Sequence, residues 1–215
     1  MAKTLQDIRL QLQRGEVTSE QLVEEALASA LSSEGQGGKT FIKVYDNQAM
    51  VQAKAIDQVR KSGVELHPLA GIPISIKDLF DVAGEITLSG SLVRRKSAPA
   101  KSDAHIVSKL RAAGAILIGR TNMTEFAFSG LGINPHYGTP LNPWDRKTGR
   151  IPGGSSSGAA ISVTDNMAAA AIGTDTGGSV RIPSALCGLT GFKPTAARVS
   201  KEGAFPLSTT LDSIG

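Results

Sequence analysis

Cysteine is nearly absent from this 215-residue chain. Cys187 is the only one, so no disulfide can form within the chain, and a reducing compartment fits. Histidine is almost as scarce. His67, His105 and His136 lie far apart, no H-x-x-x-H or C-x-x-C spacing occurs, and neither a metal site nor any other cofactor is expected. The same scarcity argues against a Ser-His-Asp arrangement, although distant histidines can converge in space. Long apolar runs are missing too. No uncharged stretch approaches the roughly 18–20 residues needed to span a membrane. The N-terminus, "MAKTLQDIRLQLQRG", has no apolar signal-peptide core, so a soluble, cytoplasmic chain without membrane contact is expected. Extended basic tracts are also lacking. The net charge is +4, and the short clusters Arg94-Arg95-Lys96 and Arg146-Lys147-Arg150 read as solvated surface, so no nucleic-acid partner is expected.

What is present is enough apolar sequence for a packed core, with 40% hydrophobic and 20% charged residues. The length suits one domain or a piece of a larger one. Leu5, Ile8 and Leu12 recur at helical spacing until Gly15. "TSEQ" at 18–21 is a capping box, and Leu22, Val23, Ala26, Leu27, Ala30 and Leu31 then form one face. "SSEGQGGK" at 32–39 reads as a loop and 47–62 as a helix. Ile72, Ile74 and Ile76 alternate, predicting a strand that runs into Lys77, with Pro73 marking an edge or a strand start. A helix is predicted over 103–113 with Gly114 as its stop, then a buried strand at 115–118. A helix at 157–164 and a buried strand at 167–173 complete the pattern, which is that of an α/β layered fold.

Three stretches carry chemistry. "GRIPGGSSSGAA" at 149–160 has three readings taken alone: a flexible linker, a phosphate cradle, or a catalytic loop requiring close backbone approach. The phosphate reading is poor, because Ser155 stands where a P-loop needs lysine. "GTDTGGSVRIP" at 173–183 follows a predicted strand and precedes a predicted helix. Ligands of open α/β sheets bind beyond the carboxyl ends of strands, and glycines there let amide groups face a developing negative charge. Ser179, just after Gly177 and Gly178, thereby sits in the right neighbourhood for a nucleophile. "GIPISIKDLF" at 71–80 ends its strand at Lys77, which is either a snorkelling surface lysine or a buried base. A free lysine, of pKa about 10.4, is neutral in roughly one molecule in 2,500 at pH 7, and burial lowers that value by about 3–5.

From about residue 66 onward the chain resembles the amidase signature family of Ser-Ser-Lys hydrolases. The resemblance rests on "PLAGIPISIKDLFDVAG", "AGAILIGRTNMTEFAF", "NPWD", "GGSSSGAA", "GTDTGGSVRIPSALCG" and "GFKPT", in the family's order, with 24 residues from Ser155 to Ser179. It implies a mixed β-sheet core covered by helices, with 1–65 a helical segment and 66–215 the catalytic region of one domain. Ser179 would be acylated. Ser155, often in a cis peptide, would relay protons to Lys77, the neutral base. The amides of Thr176, Gly177, Gly178 and Ser179 would form an oxyanion hole. Ala127, Phe128 and Ser129, together with Ser155, would bind substrate, a small-molecule amide. Asp175 and Arg181 read as structural partners, and Cys187 as a core residue.

The family's domain is more than twice this length, so a truncated domain is expected, with low activity alone and self-association or a partner chain. The implied function is hydrolysis of a carboxamide. One alternative is the glutaminase subunit of a tRNA-dependent amidotransferase. That relative is expected to carry Gln where Ile182 stands and Tyr-Gly where Ala196-Ala197 stand. An alternative of another class is a catalytically incomplete assembly or binding module, against which the retained Lys77, Ser155 and Ser179 argue.

Overall fold

The computed structural model describes residues 4–215. Two helices open it, α1 (Leu5–Arg14) and α2 (Ser19–Leu31). Gly15 closes α1 in the left-handed conformation at φ 68°, which glycine adopts freely. The capping box of α2 forms as read. The Thr18 hydroxyl accepts the Gln21 amide at 3.1 Å, and the Gln21 side chain accepts the Thr18 amide at 2.9 Å. The predicted loop at 32–39 ends differently. Amides of Lys39 and Thr40 donate back to Gln36 at 3.0 and 2.9 Å, making the one-turn helix α3 (Gly37–Thr40). Strand β1 (Phe41–Val44), helix α4 (Asp46–Lys61), strand β2 (Pro73–Lys77), helix α5 (His105–Ala112) and strand β3 (Ile116–Thr121) follow. Then come α6 (Ser157–Thr164), β4 (Ala170–Ile172), β5 (Thr174–Asp175), α7 (Arg181–Leu186) and β6 (Ser213–Ile214).

The main sheet has the order β1-β3-β2-β4. β2 runs parallel to both β3 and β4, whereas β1 is antiparallel to β3. The fold is therefore α/β with a mixed sheet, the parallel pairs bridged by segments containing α5 and α6. Pro73 marks a strand start and not an edge: β2 lies centrally, and its first carbonyl accepts the Ala169 amide at 2.9 Å. All five β2 residues are buried. Ile74 and Ile76 join Leu117, Val107 and Leu110 in one apolar cluster. On the other face, Ile116 and Ile118 pack with Val23, Ala26 and Leu27 of α2 and Ala49 and Ala53 of α4.

The expected buried strand at 167–173 is corrected in extent and burial. Only Ala170–Ile172 form β4, and all three are half-buried. The reason is position: β4 pairs with β2 on one side and, among the described residues, has no strand on the other.

Candidate active site

Strand alternation decides where Lys77 points. Residues two apart share a face, and the Ser75 hydroxyl meets the Ser162 hydroxyl of α6 at 2.8 Å. Lys77 therefore faces the same layer, one step nearer the carboxyl end of β2. Its side chain is fully buried, which removes the surface reading. The Lys77 Nζ lies 2.6 Å from Ser155 Oγ and 3.0 Å from Thr174 Oγ1.

Ser155 sits two residues before α6, after a cis Gly154–Ser155 peptide bond. The small residues around it are there because backbone passes close by. A Cβ on Gly154 would lie 2.6 Å from the Gly132 nitrogen, and one on Gly158 would lie 2.4 Å from the Thr40 carbonyl oxygen. The Thr124 amide donates to the Ser155 carbonyl at 3.1 Å, and the Gly154 amide to that of Gly130 at 2.8 Å. The glycine-serine run is thus an ordered, buried loop and not a linker. The Ser156 amide donates to the Ser179 carbonyl at 3.2 Å, which holds the two serine loops side by side.

The Ser179 loop is organised by Asp175. This fully buried carboxylate accepts the Gly178 amide at 2.9 Å, the Val180 amide at 3.1 Å and the Arg181 amide at 3.3 Å. The Arg181 guanidinium closes on it at 3.0 and 2.8 Å. Burial alone would raise the Asp175 pKa, but the Arg181 side chain and the neighbouring amides outweigh burial and hold it below the ordinary value. Of the four amides read as an oxyanion hole, that of Gly178 is therefore engaged by Asp175. Those of Thr176, Gly177 and Ser179 have no partner among the described residues. Ser179 is 8% exposed.

The segment read as a substrate wall abuts Ser155 through Thr124 and Gly130. Ala127 is buried, Ser129 is half-buried, and Phe128 projects into solvent at 80% exposure. Beneath the site, the carboxylate of Asp78, next to Lys77, meets Arg120 Nε at 2.8 Å with both side chains buried. Sequence reasoning missed three contributors: Thr174, Thr124 and Asp212. Thr174 lies inside a motif already singled out, so its place in the stretch that carries Ser179 was a usable signal. Among the described residues no group of three or more His, Cys, Asp or Glu is placed to hold a metal ion. Nor is any helix long and apolar enough to cross a membrane.

Burial pushes the Lys77 amine from 10.5 down to about 7, against the opposing negative charges of Asp212 and Asp175. Because the folded value lies below the unfolded one, the unfolded chain holds more protons between those values, and stability rises with pH across that window. At pH 7 the buried amine costs about 4 kcal/mol. Lys77→Met removes that cost and loses two hydrogen bonds worth about 1 kcal/mol each. The variant is expected to be more stable by about 2 kcal/mol at pH 7, a gain that disappears by about pH 10. Urea unfolding at both pH values measures this, and a difference independent of pH contradicts it.

Comparison with known proteins places these features. The model of the Amidase family matches residues 22–215. AtzE, one of the subunits of 1-carboxybiuret hydrolase in Pseudomonas sp. (strain ADP), is 41% identical over 201 residues, covering 94% of this chain and 43% of the relative. A glutamyl-tRNA(Gln) amidotransferase subunit of Chromohalobacter salexigens is 43% identical over 213 residues, covering 99% and 43%. Native peptide amidase from Stenotrophomonas maltophilia superposes with a TM-score of 0.88 at 35% identity, covering 99% of this chain and 44% of that one. The chain thus spans less than half the length of the relatives it matches.

Proposed function

The chain belongs to the amidase family, and on that premise we propose that it carries the acyl-transfer centre of an enzyme that hydrolyses a small-molecule carboxamide. The observation that carries the reading is the 2.6 Å contact between the fully buried Lys77 amine and the Ser155 hydroxyl. Neutral Lys77 draws a proton through Ser155 as Ser179 Oγ attacks the amide carbon. The partnerless amides of Thr176, Gly177 and Ser179 stabilise the resulting oxyanion. The proton returns by the same path to the leaving amine, the C–N bond breaks, and an ester on Ser179 remains. Water then attacks that ester in the reverse sense. Ala127, Phe128 and Ser129 line the acyl side.

Turnover, in this reading, requires more polypeptide than the chain contains. Its relatives have more than as much length again, and Phe128, Trp144 and Phe192 stand 72–80% exposed. The remainder of the domain, or a partner chain, completes the substrate wall. Gel filtration showing a compact monomer of 215 residues with full turnover would refute this.

A second reading, a glutaminase subunit feeding ammonia to a partner, is favoured by the 43% identity to the amidotransferase relative. Ile182, Ala196 and Ala197 favour the free amidase. Ammonia release from a panel of carboxamides, including glutamine, separates the two. Release from simple amides once the rest of the domain is present, with no amidotransferase partner chain, supports the first. Glutamine hydrolysis only with added amidotransferase partner chains supports the second.

A further inference from the structure

The turn preceding β6 reaches back to the Ser179 loop through one side chain. Asp212 accepts the Leu207 amide at 2.9 Å and the Ser208 amide at 3.0 Å, which closes the 207–212 turn. Its Oδ1 also takes a short hydrogen bond from the Thr176 hydroxyl, 36 residues away. Thr176 opens the glycine-rich loop, and the strands on either side of this contact pair with each other, Asp175 opposite Ser213. The carboxylate borders a cavity of about 190 Å³ whose wall includes Thr174, the residue whose hydroxyl contacts the Lys77 amine.

We propose that Asp212 is a positioning residue of the Lys77–Ser155–Ser179 site, holding the Ser179 loop through Thr176 and placing a carboxylate on the cavity wall it shares with Thr174, the hydroxyl partner of the Lys77 amine. The inference rests on the reading of Lys77 as the base and adds a carboxylate that opposes the effect of burial on it. The charge inventory supports it. Asp175 is the other carboxylate, and it is neutralised by Arg181 at 2.8 Å. Asp78 and Arg120, the nearest charges on the β2 and β3 sides, are paired with each other. Lys201, on the wall of the same cavity, gives its amine to the Thr209 carbonyl at 2.8 Å. Asp212 forms no ion pair among the described residues, and its negative charge opposes the burial that lowers the Lys77 pKa.

Two variants separate the two parts of this role. Asp212→Asn removes the charge and keeps one of the two acceptor oxygens, whereas Thr176→Val keeps the charge and cuts the tether. The readouts are the NMR titration of the Lys77 side chain, assigned by its loss in Lys77→Met, and amide hydrogen exchange over 176–179. In Asp212→Asn the Lys77 midpoint is expected to fall by about one pH unit. In Thr176→Val the midpoint stays and the loop amides exchange about tenfold faster. An unmoved midpoint in folded Asp212→Asn, or unchanged exchange in Thr176→Val, overturns the proposal. Should Asp212→Asn fail to fold, the Thr176→Val exchange still decides the tether. A wild-type Lys77 that titrates near its free value would instead overturn the neutral-base reading, and the shift in Asp212→Asn would still be measurable.

Discussion

Replacing Lys77 by methionine is expected to slow fluorophosphonate labelling of Ser179 by about 10³-fold near neutral pH. The probe needs only a serine made nucleophilic beside oxyanion donors, and every group proposed for those roles lies within these 215 residues. Methionine matches lysine in reach and apolar stem but accepts no proton, so the Ser155 hydroxyl loses the base that it touches at 2.6 Å. The fold is expected to survive, since removal of a buried amine stabilises it at pH 7. A loss of labelling would then report chemistry and not unfolding. Ser155→Ala should act in the same direction, and Ser179→Ala should leave no adduct, as peptide mass mapping would show. Full labelling in Lys77→Met, or an adduct on another residue, contradicts the assignment.

Arg120→Ala is expected to destabilise the chain by about 3–5 kcal/mol, because it strands a buried carboxylate. Arg120 is 2% exposed and spans from β3 to the turn after β2. Its Nε contacts Asp78 Oδ1 at 2.8 Å, and its Nη2 contacts the Phe80 carbonyl at 2.9 Å. Burial already raises the Asp78 pKa, with Arg120 the main opposing influence. Without the guanidinium, Asp78 takes up a proton more readily, so the deficit should shrink as pH falls. Replacing both partners with apolar residues, as Asp78→Leu with Arg120→Met, should recover much of the loss. Urea unfolding of both variants tests this, and a single-variant cost below about 1 kcal/mol would contradict it. Because Asp78 adjoins Lys77, the single variant should also lower Ser179 labelling.

The helices were legible because their signals are local. Thr18, Gln21 and Gly15 act within a turn or two of themselves, and the apolar faces of α2 and α5 repeat at helical spacing. Lys77 was legible only in part: the alternation predicted a strand running into it, but whether its amine was buried or at the surface stayed open until the structure placed it. The order β1-β3-β2-β4 was not, because pairing partners lie tens of residues apart and every β2 residue is buried whichever strand flanks it. β5 and β6 escaped notice because two residues carry no period. The edge position of β4 was equally hidden: "MAAAAIG" reads as buried, and its half-exposure follows from a missing neighbour that no local pattern reports. At the site, the motifs marked Ser155 and Ser179 but not how the loop is held. The Asp175 carboxylate engages the Gly178 amide, one of the four read as an oxyanion hole, and Asp212 reaches Thr176 across 36 residues. Side-chain reach of that kind depends on tertiary packing, which spacing alone does not encode.

The most direct test of the neutral base is the titration of the Lys77 side chain itself, followed by NMR in the 215-residue chain with selectively labelled lysine. A midpoint near 7, on a signal missing from Lys77→Met, is the predicted result. A midpoint that stays near the free-lysine value of about 10.4 would mean the amine keeps its charge, and the proposed proton path through Ser155 would be wrong.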